Sequence, residues 1–418
     1  MVKLSFMKTA CLMFLVCAAA IAPAQTFQTL VNFSKTNGEL APYSPLIQGA
    51  DGNLYGTTGG FVGPDSYGMA YRMTPAGDLS TLYNFCSQKG CGDGAFPSDG
   101  VIQAGNGNFY GVTYRGGALD AGIIYELTPA GKLTTMHSFC SQTNCTDGEL
   151  PIGGLIQASN GNFYGTTHVG GANGTAGNYG TIFEITPSRQ FTTLYSFCSK
   201  ANCADGQSPY ASLVQASNGN LYGTTVYGGA SSYCADQSVG CGTVFEITPA
   251  GKFTTLYSFC SQPNCADGFY PFSGLMQASN GNLYGTTELG GTTGNYGTVF
   301  EITTSGKLTT LYSFCAQTSC ADGEFPSSGL VQGTNGSLYG TTGQGGANCY
   351  PIFCGTAYEI TPAGKLTTLH TFHPALEGIN PSGMMQATGG TLYGVTLEGG
   401  NSSACGSAGC GTVFSLSK

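Results

Sequence analysis

Cysteine is the residue type in this chain of 418 residues whose spacing most clearly dictates chemistry. Seven pairs are five residues apart: Cys86/Cys91, Cys140/Cys145, Cys198/Cys203, Cys260/Cys265, Cys315/Cys320, Cys349/Cys354 and Cys405/Cys410. An eighth, Cys234/Cys241, is slightly wider. Thiols so spaced either ligate a metal or cross-link. Zinc favours tighter CxxC pairs with further Cys or His ligands, and the chain has only 4 His. Beyond residue 24 these sixteen cysteines leave none over, and an even set in an exported chain reads as disulfides, with no metal site assigned.

Acidic residues supply the second set. Asp93, Asp147, Asp205, Asp267 and Asp322 each follow a cysteine pair and precede a glycine, and Glu377 stands before Gly378 in the same way. Asp-Gly is first a turn signal, because Asp caps its own backbone and Gly accepts positive φ. The alternative is a ring of carboxylates holding a ligand or cation. No DxDxDG loop is present, so calcium is the weaker form of that alternative. Tyr210 departs from the local pattern and joins the acids as a candidate binding residue. Catalytic signals are thin. His137, His168, His370 and His373 form no cluster at matching positions, and no GxSxG, HExxH or phosphate-binding glycine loop appears. Paired carboxylates for glycoside cleavage could come only from the acidic ring.

The elements that position these residues come from an internal repeat. Leu/Phe-Tyr-Gly recurs at Tyr55, Tyr110, Tyr164, Tyr222, Tyr284, Tyr339 and Tyr393, at intervals of 54 to 62 residues. Each unit predicts four short strands: an apolar run such as Leu155 to Ala158, an Asn-Gly hairpin, a strand of the LYGTT type, a GTVFEIT-type strand, and a fourth such as Lys252 to Phe259 after a Pro-Ala-Gly turn. A β-helix coil is shorter and needs no such hairpins. The reading is an all-β, seven-bladed β-propeller of four-stranded antiparallel blades over residues 25–418. The segment from Thr29 resembles a fourth strand and that from Gly411 a third, so the two chain ends complete the last blade. With the first strand innermost, every cysteine pair falls on one face. Gln48, Gln103, Gln157, Gln215, Gln277, Gln332 and Gln386 then brace neighbouring inner strands. Glu126, Glu184, Glu246, Glu301 and Glu359 are expected to pair across strands with Lys132, Lys252 or Lys307.

Residues 1–24 read as a signal peptide: Lys3 and Lys8, an apolar run, then Ala22-Pro23-Ala24 before cleavage near Ala24. No later stretch is apolar enough for a transmembrane anchor. A formal charge of −9, with only 8% charged residues, disfavours nucleic acid and anionic membranes as partners. The units Gly274 to Gly291 and Gly297 to Cys315 resemble the GloVer tandem-repeat family of secreted bacterial proteins, and all seven units carry the likeness. That resemblance implies export and a repeat propeller, with no established reaction. The expectation is a secreted or periplasmic monomer whose disulfide-clipped face holds a glycan, peptide or extracellular protein. The competing expectations are a polysaccharide hydrolase or lyase using loop carboxylates, and a structural envelope protein. Mass spectrometry of the unreduced mature protein is expected to find eight intramolecular bridges; several free thiols would refute the oxidised face.

Overall fold

The strand after each Asn-Gly turn is buried on both faces, and its glycine sets how closely the next strand packs. All five residues of Leu221–Thr225 are buried. A Cβ on Gly223 would stand 2.6 Å from the ring of Phe245 on the adjoining strand, so only glycine admits that aromatic. Gly165 faces Phe183 with the same 2.6 Å approach. The hairpin before it closes with Gly219 at φ +84°, its N–H donating to the Ala216 carbonyl.

A computed structural model describes residues 25–417 except 35–40, 60–66, 174–178, 232, 235–239, 327, 350–353, 375–376 and 402–408. They form seven antiparallel sheets arranged as a seven-bladed β-propeller. Blade four shows the pattern: Val214–Gln215, Leu221–Thr225, Thr243–Ile247 and Phe253–Ser258 pair in chain order. Blade two adds Ala95–Pro97, paired with Phe109–Arg115. The seventh blade joins both ends of the chain. Thr26–Asn32 pairs with Thr412–Ser417, which pairs with Leu392–Glu398, which pairs with Ile379–Gln386. No α-helix occurs among the described residues, and none of them forms a helix long and apolar enough to cross a membrane. The expected signal peptide lies outside the described residues.

First strands are innermost, with Ile47, Ile102 and Ile156 lining a central cavity. Their glutamines brace blade to blade. Gln215 accepts from the Ser159 N–H of the preceding blade at 2.8 Å, while its amide nitrogen donates to the Gly219 carbonyl at 3.0 Å. Gln277 and Gln332 repeat this with Ser217 and Ser279, and Gln48 receives Thr388 across the ring closure at 2.9 Å. At the periphery, Tyr195 stacks on Phe253 and His137 on Phe191, each pair with ring centroids 3.9 Å apart.

The third-strand glutamates have different partners from those expected. Glu184 accepts from the Tyr164 hydroxyl and the Asn162 amide, each at 2.6 Å, and Glu246 from Tyr222 at 2.9 Å and Asn220 at 2.5 Å. Tyr222 lies directly opposite Glu246 in the ladder, which fixes a short, half-buried contact. A lysine in the following turn would have to give up its hydration to compete. Among the described residues the ion pairs are Arg115–Asp120, His137–Asp147 and His370–Glu377.

Blades one, two and six place Tyr71, Tyr125 and Tyr358 where blade four has Phe245. These hydroxyls are buried and have no hydrogen-bond partner among the described residues. Burial pushes each phenol pKa far above its ordinary value. A desolvated, unpaired hydroxyl costs about 1–3 kcal/mol. Tyr358→Phe is therefore expected to raise stability by about 1 kcal/mol, read as a higher Tm by calorimetry. A fall in Tm would show that the hydroxyl is bonded.

Candidate functional site

Each cysteine clip at a junction between two blades closes a loop around one carboxylate. Seven disulfides form: Cys86–Cys91, Cys140–Cys145, Cys198–Cys203, Cys234–Cys241, Cys260–Cys265, Cys315–Cys320 and Cys349–Cys354. Cys410 is also disulfide-bonded, and its expected partner Cys405 lies outside the described residues. Where a clip joins two blades, the following Asp turns back into the loop. One oxygen of Asp205 accepts from the Tyr195 hydroxyl at 2.7 Å and from the Ser199 N–H and hydroxyl at 2.9 Å; the other accepts from the Lys200 N–H at 3.1 Å. Asp93, Asp267 and Asp322 do the same with Tyr83, Tyr257 and Tyr312. Asp147 takes His137 Nε2 at 3.1 Å in place of a tyrosine. All five aspartates are fully buried, and the glycine after each has positive φ, as the turn reading requires.

Glu377 stands at the junction between blades six and seven, where no cysteines occur. It accepts from the His373 N–H at 3.0 Å and lies 3.0 Å from His370 Nε2. The two histidines thus meet one carboxylate, one through its ring and the other through its backbone. The structure therefore spreads the loop acids one to a junction, each engaged in its own turn, and does not bring them together. Close groups of potential metal ligands, such as Cys349, Cys354 and His373, include cysteines already held in disulfides.

The loop face instead converges on its centre. A cavity of about 720 Å³ opens between the blades. Its mouth is built from two repeat positions. One follows the proline that opens each blade, and there Tyr43, Ser98, Ile152, Tyr210, Phe272 and Ser382 are of four residue types. The other comes directly after the Thr pair of the second strand in most copies, and there Tyr114 and Glu288 face the cavity and His168 lies beside Tyr210. Both positions are on the edge from which the clipped loops leave. Tyr210 is 38% exposed and meets Phe272 edge-on, with centroids 5.2 Å apart. Burial raises its phenol pKa, with further upward contributions from Tyr43, Tyr114, Tyr227 and Glu288. Burial also raises the Glu288 pKa and lowers that of His168.

Asp99 closes one side of this cavity. Its carboxylate accepts from the Ser212 hydroxyl of blade four at 2.7 Å and from the Gly154 N–H of blade three at 2.8 Å, so blades two and four touch in front of blade three. Gly154 has no room for a side chain: a Cβ would stand 2.6 Å from that carboxylate. Of the site residues chosen from sequence, Tyr210 lies at the cavity. Asp99, Glu288, Tyr43, Tyr114 and Phe272 were missed. Their signal was variation: Glu288 follows a Thr-Thr pair where other copies have Gly59, His168, Val226 or Gly343.

A rigid seven-bladed scaffold with loops clipped on one face and a single chemically uneven mouth defines a tandem-repeat propeller. The chain matches the Gloeobacter/Verrucomicrobia repeat over residues 63–266 and 234–418, and it belongs to that family. No curated protein matches it. Among solved structures, a protein of unknown function from Dyadobacter fermentans is similar, with 9% identity, 94% of this chain and 99% of that one covered, and a TM-score of 0.48. A gluconolactonase from Xanthomonas campestris has 15% identity over 85% and 98% of the two chains, with a TM-score of 0.43. An α-L-arabinanase from Penicillium chrysogenum has 11% identity over 94% and 98%, with a TM-score of 0.45. These are likenesses of outline, and no chemistry transfers from them.

The carboxylate turns make acid stability a direct test. Burial of Asp93 pushes its pKa up, but hydrogen bonds from Tyr83, Ser87 and Gln88 outweigh this, and the net shift is downward. A lowered carboxyl pKa contributes stability above the unfolded value of about 4, lost as pH falls through the folded one. Asp93→Asn is expected to cost about 1–2 kcal/mol at pH 7, and the deficit should shrink on acidification below about pH 4. Thermal melts of both proteins across pH check this; a deficit independent of pH would remove the charge from the argument.

Proposed function

We propose that the protein is an extracellular carbohydrate-binding propeller that holds a saccharide in the mouth of its central cavity. The observation that carries this is the break in repeat symmetry there: three aromatics, Tyr43, Tyr210 and Phe272, occupy one repeat position around a cavity of about 720 Å³. That volume falls within the range of small-molecule sites, which combine apolar walls with a few convergent polar groups. Aromatic faces suit the C–H faces of sugar rings. Ser98 and Ser382, whose hydroxyls donate to the Pro151 and Tyr43 carbonyls, present acceptor oxygens on other blades. Tyr43 and Tyr210, at 45% and 38% exposure, are among the few large apolar side chains left open to solvent.

Export completes the reading. Residues 1–24 act as a leader removed near Ala24, and the mature chain works outside the cytoplasm, secreted or periplasmic, as a monomer. Seven disulfides, with no membrane-crossing helix among the described residues, are consistent with an extracellular protein. A peptide or a surface protein is the competing occupant of the same mouth. Cleavage of polysaccharide by the loop carboxylates gains no support from the geometry, because all five aspartates are fully buried in their own turns.

A glycan array probed with the oxidised mature protein, with and without calcium, is expected to return a defined saccharide class. Tyr210→Ala and Phe272→Ala should each weaken that binding at least about tenfold, the effect of losing about 1.4 kcal/mol, with little change in Tm. A blank array, or binding untouched by both substitutions, would reject the cavity as a saccharide site.

A further inference from the structure

We propose that the saccharide held in this cavity carries a free amino group, so that the ligand is cationic and Glu288 is its counter-charge. This rests on the carbohydrate-binding reading above. Among the described residues the cavity wall includes two carboxylates, Asp99 and Glu288, and no lysine or arginine. They are engaged very differently. Asp99 is saturated: Gly100 N–H, Gly154 N–H and the Ser212 hydroxyl all donate to it within 2.8 Å. Glu288 is anchored only through its backbone, whose N–H donates to the Tyr270 carbonyl at 3.0 Å. Among the described residues no hydrogen bond or ion pair reaches its carboxyl group.

A half-buried carboxylate without a protein donor depends on solvent for its hydrogen bonds, and a ligand that fills the mouth must replace them. Its raised pKa, which arises from burial alone, is the electrostatic trace of that missing partner. An ammonium group supplies the donor and the opposite charge together. The aromatic walls point the same way, because the faces of Tyr and Phe rings attract cations within about 6 Å of their centroids. Tyr210 and Phe272 meet edge to face, and Tyr210 lies in the field of Glu288, which is among the causes raising its phenol pKa. A neutral sugar would offer Glu288 hydroxyl donors but leave its charge uncompensated. A uronic acid would meet like charge in a chain whose formal charge is already −9.

The probes are a β-1,4-linked glucosamine tetramer and its fully N-acetylated counterpart, titrated calorimetrically into the oxidised protein and into Glu288→Gln at two salt concentrations. The amino tetramer is expected to bind about tenfold tighter than the acetylated one, with the preference weakening as salt rises. Glu288→Gln should erase that preference while leaving Tm and weak binding of both probes in place. Equal affinity for the two tetramers, or a preference that survives Glu288→Gln, overturns the cationic assignment and leaves saccharide binding standing. If neither tetramer binds and the glycan array is also blank, both readings fall together.

Discussion

The buried carboxylate after each junction clip is the contact on which the loop face depends. It accepts from an outer-strand hydroxyl or imidazole and from two successive backbone N–H groups, as Asp205 does with Tyr195, Ser199 and Lys200. One side chain thereby ties the last strand of a blade to the loop that starts the next. The donating ring has a second task, since Tyr195 also stacks on Phe253 of the following blade. Loop shape, outer-strand position and blade spacing are thus set together. The junction between blades six and seven, which has no cysteines, shows the same logic with longer reach: His370 and Glu377 take the places of Tyr and Asp, and His370 stacks on Phe27.

That engagement explains why the acidic ring is not itself a recognition surface. Carboxylates accepting several hydrogen bonds inside a turn offer little to a ligand. Recognition therefore moves to positions that the scaffold does not need. Seven nearly identical blades fix the inner glutamine, the second-strand glycine and the third-strand aromatic, because each packs against an adjoining strand or a neighbouring copy. The residue after the opening proline points into the mouth, where its neighbours are other variable positions, as Tyr210 meets Phe272. The cavity is where such free positions meet.

The sequence makes the scaffold legible for the same reason. A repeat of seven units states the blade count, and the split seventh blade follows from the types of strand at either end. Glutamine bracing was readable because a buried amide needs a partner, and a propeller offers one in the next blade. The glutamates were harder: Glu246 and Lys252 look like a surface pair until the ladder sets Tyr222 opposite Glu246. The cavity was least legible. Asp99 and Ser212 are separated by 113 residues, and only closure of the ring brings them to 2.7 Å. No local pattern announces such a contact, although Asp99 and Glu288 do stand out as departures from their repeat.

The disulfides act on local conformation more than on global stability. Closing so small a loop constrains the unfolded chain only slightly, roughly 2 kcal/mol in the entropic account. Both cysteines of a junction clip nevertheless hold positive φ, 57° at Cys198 and 50° at Cys203, which an L-residue disfavours. The cross-link keeps them there, and the carboxylate beside it receives the N–H groups that this backbone presents. Clip and carboxylate are therefore halves of one device, repeated at five junctions around the mouth. A mouth already fixed in shape has little ordering left to lose when a ligand enters, and this lowers the entropic cost of binding. A few unrepeated side chains can then decide specificity.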